Sequence, residues 1–148
     1  MDALRVGARR RREKGAELVE FALVLPLLLL VMVGIFDFGF MFRNYGVIAN
    51  AAREGARIGV LAGYSSADVQ DRSASYMTAA GLTAGLGATT VAIEPLAVGA
   101  GATVSVVRVT VTYPHTFSLL APIARLFGGS FGSITLRAVS TMRVEGSG

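Results

Sequence analysis

From Phe21 to Phe42 the chain reads FALVLPLLLLVMVGIFDFGFMF, 22 residues broken by one acid, Asp37. A helix rising about 1.5 Å per residue carries such a run roughly 33 Å, enough to cross a hydrocarbon core of about 30 Å. This run therefore dominates what the chain can become. Before it, residues 1–15 hold Arg5, Arg9, Arg10, Arg11, Arg12 and Lys14 against Asp2 and Glu13, a local charge of +4. Positive charge on the N-terminal flank predicts a cytoplasmic N-terminus, with the chain beyond the span outside the membrane. A cleaved secretory signal fits poorly. Its apolar core is about 7–15 residues, and here Asp37 and Arg43 separate a longer run from the Ala49-x-Ala51 that could serve as a site. Pro26 removes one backbone donor inside the run and frees the Ala22 carbonyl, which predicts a kink or a loosened turn.

Composition agrees. Of 148 residues, 53% are hydrophobic and 16% charged, and the mean hydropathy is +0.58, too apolar for a soluble domain of this length. The pI near 10.1 reflects the basic leader, so nucleic acid is not indicated as a partner. There is no cysteine, which excludes a disulfide framework and a thiolate metal site. The single histidine, His115, lacks companions for a metal site or a triad and reads as a loop or surface residue. GLTAGLG and GAGAT lack the lysine and the strand-to-helix context of a phosphate loop and read as turns. The outer acids Glu54, Asp68, Asp71, Glu94 and Glu145 show no pairing that would poise one for general acid work, and Arg53, Glu54 and Arg57 read as a solvated face. No enzyme, cofactor, metal or small-molecule substrate is indicated.

Beyond the span, RNYGVIANAAREGARIGVLAG (43–63) continues the helix. Ala51, Gly55, Gly59 and Gly63 recur every four residues; two readings stand, a close-packing stripe between helices in lipid or a seat for the protein's own sheet. SSADVQDRSASYMTAAGL reads as a second helix, with Ser66 as N-cap, Asp68 in its first turn and Gly81 as its stop. The period then changes to two. TTVAIEP is a short strand. TVSVVRVTVTYP puts Val107, Val109, Val111 and Tyr113 on one face against Arg108, Thr110 and Thr112, and SITLRAVSTMRVE puts Ile134, Leu136, Ala138, Met142 and Val144 on one face. The apolar segment 115–129 is a short helix or a loop lying over the sheet or the membrane surface. The expected fold class is α+β: a long N-terminal transmembrane helix, a second short helix and a small antiparallel sheet of about three strands. Its division is a basic leader (1–15), a long helix (16–63, span about 21–42) and an extracytoplasmic head (64–148).

KGAELVEF, at the mouth of the span, needs more than anchoring to explain its acids Glu17 and Glu20. A basic leader, a glycine, a glutamate five residues beyond it and an apolar helix resemble the processing signature of type IV prepilins. With LVLPLLLL, FDFG and NAAREGARIGVLAG, the chain over about 10–63 resembles the TadE-like family of the Tad (Flp, type IVb) pilus system. TadG-like proteins share the N-terminal pattern, and the short head favours the TadE type. The resemblance implies a minor pilin or pseudopilin of the bacterial inner membrane, cut by a prepilin peptidase between Gly15 and Ala16 and acting in pilus assembly, adhesion and biofilm. Its implied partners are that peptidase, other pilins or pseudopilins, Tad inner-membrane assembly proteins and membrane lipid. Glu20 and Phe21 become the fifth and sixth residues of the mature chain, Glu20 pairing with the new Ala16 amine of a neighbour and fixing register. Glu17 suits the positive end of the helix dipole. Asp37 either pairs with Arg43 or marks the outer edge of the membrane. The alternative is an uncleaved single-pass anchor bearing a binding module.

Overall fold

The computed structural model describes residues 2–99 and 103–144. Helix α1 (Asp2–Gly59, 58 residues) runs from the leader through the apolar segment into the head, with Pro26 inside it. It is followed by α2 (Ser66–Ala79), a single 3-10 turn (Ala84–Leu86), β1 (Ala88–Ala97), β2 (Thr103–Thr116), α3 (Leu120–Leu126) and β3 (Ser133–Arg143). The fold is α+β, as its periodicities predict. Among the described residues one helix is long and apolar enough to cross a membrane, and none of them buries its most apolar stretch.

Two expected boundaries move. Helix α1 ends at Gly59, four residues before Gly63. Its last turn tightens, Leu61 N–H donating to Ile58 C=O at 2.9 Å, and Gly63 turns the chain with φ +89°. The N-cap of α2 is Ser65, not Ser66. Ser65 Oγ accepts from Asp68 N–H at 3.3 Å, while Asp68 Oδ2 accepts from Ser65 N–H at 2.7 Å, a reciprocal capping box. Asp68 sits three residues after Ser65, the spacing at which both bonds can form. The other end of α2 is as expected: Gly81 adopts φ +82°, Leu82 N–H bonds Met77 C=O and Gly81 N–H bonds Thr78 C=O. That is a Schellman stop, with Leu82 and Met77 both in the core.

The three strands form one antiparallel sheet in the order β1-β2-β3. Val91, Val109 and Ser140 lie abreast, as do Thr89, Val111 and Ala138. Two prolines sit where a missing N–H costs little: Pro95 is on edge strand β1, and Pro114 lies past the last β1 partner of β2, Thr112. The inner face of β2 is buried throughout (Val107, Val109, Val111, Tyr113). Thr110, expected on the wet face, is buried as well, because Thr90 and Val139 flank it on the central strand.

Both helices cover that inner face. Helix α1 lies against β2 and β3, and α2 packs on α1 and β1. Ile48, Ala51, Ala52 and Ala56 of α1 are fully buried, and α2 contributes Val69, Ser73 and Met77, one residue per turn. The small-residue stripe is thus largely the seat of the head. A Cβ at Gly55 would collide with Ser73 Oγ and lie 3.3 Å from Val69; one at Gly59 would lie 2.9 Å from Val107 Cγ1. Ser73 cannot step aside freely, since its hydroxyl donates to Ala51 C=O at 3.2 Å. Gly63, beyond the helix, has open space around it and is no part of this contact. Gly55→Val should therefore destabilise the head by about 1–3 kcal/mol through overpacking. Gly46→Ala, with nothing within 4 Å, should be neutral or stabilising by up to about 1 kcal/mol. Thermal unfolding of the two variants in detergent checks the contrast.

Candidate functional site

Two regions of α1 hold the residues singled out by sequence. The first is its N-terminal part. Gly15 is helical, and among the described residues nothing lies within 4 Å of the position a Cβ would take, so their packing does not require a glycine there. Glu17, Glu20 and Phe21 are exposed. The backbone of Ala16 lies one helical turn before Glu20, placing the two on one face about 6 Å apart along the axis. The leader's side chains, and that of Ala16, lie outside the described residues, as do Glu145 and residues 100–102 of the second glycine-rich turn.

The second region is a polar collar where the head meets the apolar run. Asp37 is the first buried residue along the described part of α1, only 1% exposed. It does not pair with Arg43. Its Oδ2 accepts from Leu120 N–H at 2.7 Å and from Leu119 N–H at 3.1 Å, with Oδ1 3.2 Å from the latter. These are the opening amides of α3, whose N-cap, Leu119, has no side-chain acceptor to offer. The amides that every helix start leaves unpaired are here satisfied by a carboxylate 82 residues away in sequence.

Arg43 is committed elsewhere, donating to Ala80 C=O at the C-terminal end of α2 at 2.8 Å. His115 is not a loop or surface residue. It lies on β2, 5% exposed, with Asn44 Nδ2 3.1 Å from its Nδ1. An amide nitrogen only donates, so Nδ1 takes the acceptor role in this contact, and Nε2 is buried with no hydrogen-bond partner among the described residues. Next to it, Phe117 packs edge-to-face on His115, Phe38 and Phe131, with centroids 5.3, 6.0 and 5.6 Å away. A cleft of about 560 Å³ opens beside the collar, lined in part by Arg43, Asn44, Leu86 and Ser133. Asp37, Arg43 and His115 all border it, yet each is held by backbone or amide groups rather than aligned with a nucleophile. The collar reads as a joint.

Higher on the head, Glu54 is more than part of a solvated face. It bridges α1 to α2, accepting from Arg57 Nη2 at 2.9 Å and Arg72 Nη2 at 2.6 Å. Hydrogen bonds from Arg57 and then Arg72 hold its carboxyl down from an ordinary 4.5 to about 2, the opposite of what a general acid needs. Glu94 and Arg108 pair across β1 and β2 at 3.0 Å.

Residues 15–57 match the family model described as TadE-like protein, the family whose motifs the chain resembles. The match points to a Tad pilus-related protein, in a family that is generally non-catalytic. It begins at Gly15 and includes Glu20, Pro26 and Asp37. No curated protein and no solved structure matches the chain.

Two outcomes follow from this geometry. Asp37→Ala leaves the α3 amides unpaired in a buried site and should cost about 1.5–3 kcal/mol, while Asp37→Asn, which keeps one acceptor, should cost less. Hydrogen exchange at the Leu119 and Leu120 amides reads the loss directly. For Glu54 the folded value is depressed, so its stabilisation is present above about 4.5 and is lost as the pH falls toward 2. Wild type should lose melting temperature over that window, and Glu54→Gln should lose less, the gap between them closing with acidification.

Proposed function

We propose that the protein is a minor pilin or pseudopilin of the Tad pilus machinery, cut by a prepilin peptidase between Gly15 and Ala16 and acting in pilus assembly, and through it in adhesion. The observation that carries this reading is local. A glycine that the packing of the described residues does not require sits at the start of the family match, five residues before an exposed glutamate at the mouth of an apolar helix.

Glycine leaves the scissile bond unobstructed by a side chain inside an intramembrane protease. Cleavage removes all six basic groups of the leader and creates an amine on Ala16, leaving 133 residues. At the membrane edge an unpaired amine and an unpaired Glu20 are each costly. Staggered helices answer both, the Glu20 carboxylate of one subunit meeting the Ala16 amine of the next, with Phe21 beside it. The exposed apolar length of α1 supplies the surface along which such helices, or lipid, lie. The head stays on the extracytoplasmic side of the inner membrane, with the leader in the cytoplasm. The partners are the peptidase, other pilins or pseudopilins and the Tad assembly proteins of that membrane.

Intact mass and terminal sequencing of protein from native membranes test the reading. A chain that begins at Ala16 supports it; one that keeps its arginine leader makes α1 an ordinary anchor and the head a binding module. Gly15→Arg should abolish processing. Glu20→Gln should leave processing intact and lose assembly, since breaking a buried ion pair costs roughly 3–5 kcal/mol. Unchanged piliation in both variants would refute the assignment.

A further inference from the structure

The span is not the only part of the chain suited to lipid. From Thr116 to Thr135 there is no acid and one base, Arg125. Within that segment Leu126 and Phe127 are 82% and 83% exposed, and Phe131, Leu119 and Ile134 are exposed as well. Neighbouring bulky apolar side chains left open to water in this way mark a surface made for something else.

What that something is follows from where the segment is tied. Asp37 binds the first amides of α3, and Asp37 lies five residues inside the apolar run that ends at Phe42, about 7.5 Å along the helix. The edge-to-face contacts from Phe38 through Phe117 to Phe131 continue the span's own aromatic surface into the loop after α3. A helix start held at that depth cannot stay clear of the bilayer if α1 crosses it. Arg125, one residue before the exposed pair, suits an anionic headgroup, its stem lying along apolar surface and its charge reaching the interface.

We propose that α3 and the loop after it form a second membrane contact, Leu126, Phe127 and Phe131 entering the outer leaflet beside the span so that the head rests on the bilayer. The proposal depends on the reading of α1 as a membrane span, and the experiment separates the two.

The chain has no tryptophan, so a single introduced one reports without background. Phe127→Trp, with Leu126→Trp as a second exposed position, would be reconstituted as full-length protein in phosphatidylethanolamine/phosphatidylglycerol vesicles containing brominated phosphatidylcholine. Leu28→Trp serves as reporter of the span and Tyr64→Trp, at the turn after α1, as reporter of the far end of the head. The expected result is blue-shifted emission and loss of intensity on brominated lipid for Phe127→Trp, as for Leu28→Trp, with Tyr64→Trp unaffected. Quenching of Leu28→Trp but neither α3 probe overturns the second contact and leaves the span standing. A blue shift at Phe127→Trp without quenching means that protein, such as a second copy, covers the patch, and overturns it too. Leu28→Trp left unquenched overturns the span and the proposal together.

Discussion

A carboxylate inside an apolar run must find donors or stay at the edge of the membrane, because burying it unpaired costs far more than any packing it could gain. Asp37 finds them in two amides of α3, and much of the lower head follows from that. The contact holds α3 against α1, brings Phe117 to Phe38, and fixes the depth at which the β2–β3 connection lies. It also solves a problem at the other end. Helix α3 opens on Leu119, which cannot cap, and continues through Pro122, whose missing N–H falls in the first turn where none is needed. Each partner removes the other's unsatisfied charge or donor.

Above the collar a different constraint governs. The sheet can approach α1 closely only because the facing residues are Ala51, Ala52, Gly55, Ala56 and Gly59. With backbone this near to Val107 and Val109, added carbons meet side chains at once. Polar ties then secure the edges: Arg43 on the Ala80 carbonyl that closes α2, Ser73 on Ala51, and Glu54 between Arg57 and Arg72. The exposed ion pairs contribute modestly, and the buried alanine–valine contact contributes most. One helix thereby has two environments, its upper part covered by the head and the described part of its apolar run exposed.

Much of this was legible in the sequence where a pattern is local. Alternation over Val107–Tyr113 showed the inner face of β2, and Gly81 marked the stop of α2, because each depends only on neighbours along the chain. Carrying the same alternation past Pro114 places His115 on the core face, whereas its lack of chemical companions suggests only a loop or surface residue. Ser65-x-x-Asp68 held the capping box, and the adjacent Ser66 obscured it. The glycine stripe fitted lipid or sheet equally well, since small residues serve any close approach and the sequence does not say what approaches. Asp37 stood out as an anomaly, but its partners are main-chain amides 82 and 83 residues away, and backbone donors leave no mark in a sequence.

The joint between head and helix bears on the proposed function. An assembly subunit whose Glu20 sets the stagger between neighbours needs its head to arrive at a defined height, or register at the base would be lost above. Along α1, 17 residues separate Glu20 from Asp37, about 25 Å of helix. A flexible linker at the membrane surface would let that height wander. Here the chain has no such linker: the helix is continuous through Arg43 and Asn44, and α2, α3 and β2 are each tied to it within eight residues of Asp37. On that reading, rigidity at the collar turns a register chosen by Glu20 into a fixed placement of the whole head. On the proposed reading, Glu20 and Asp37 act at opposite ends of one ruler, Glu20 between subunits and Asp37 within one.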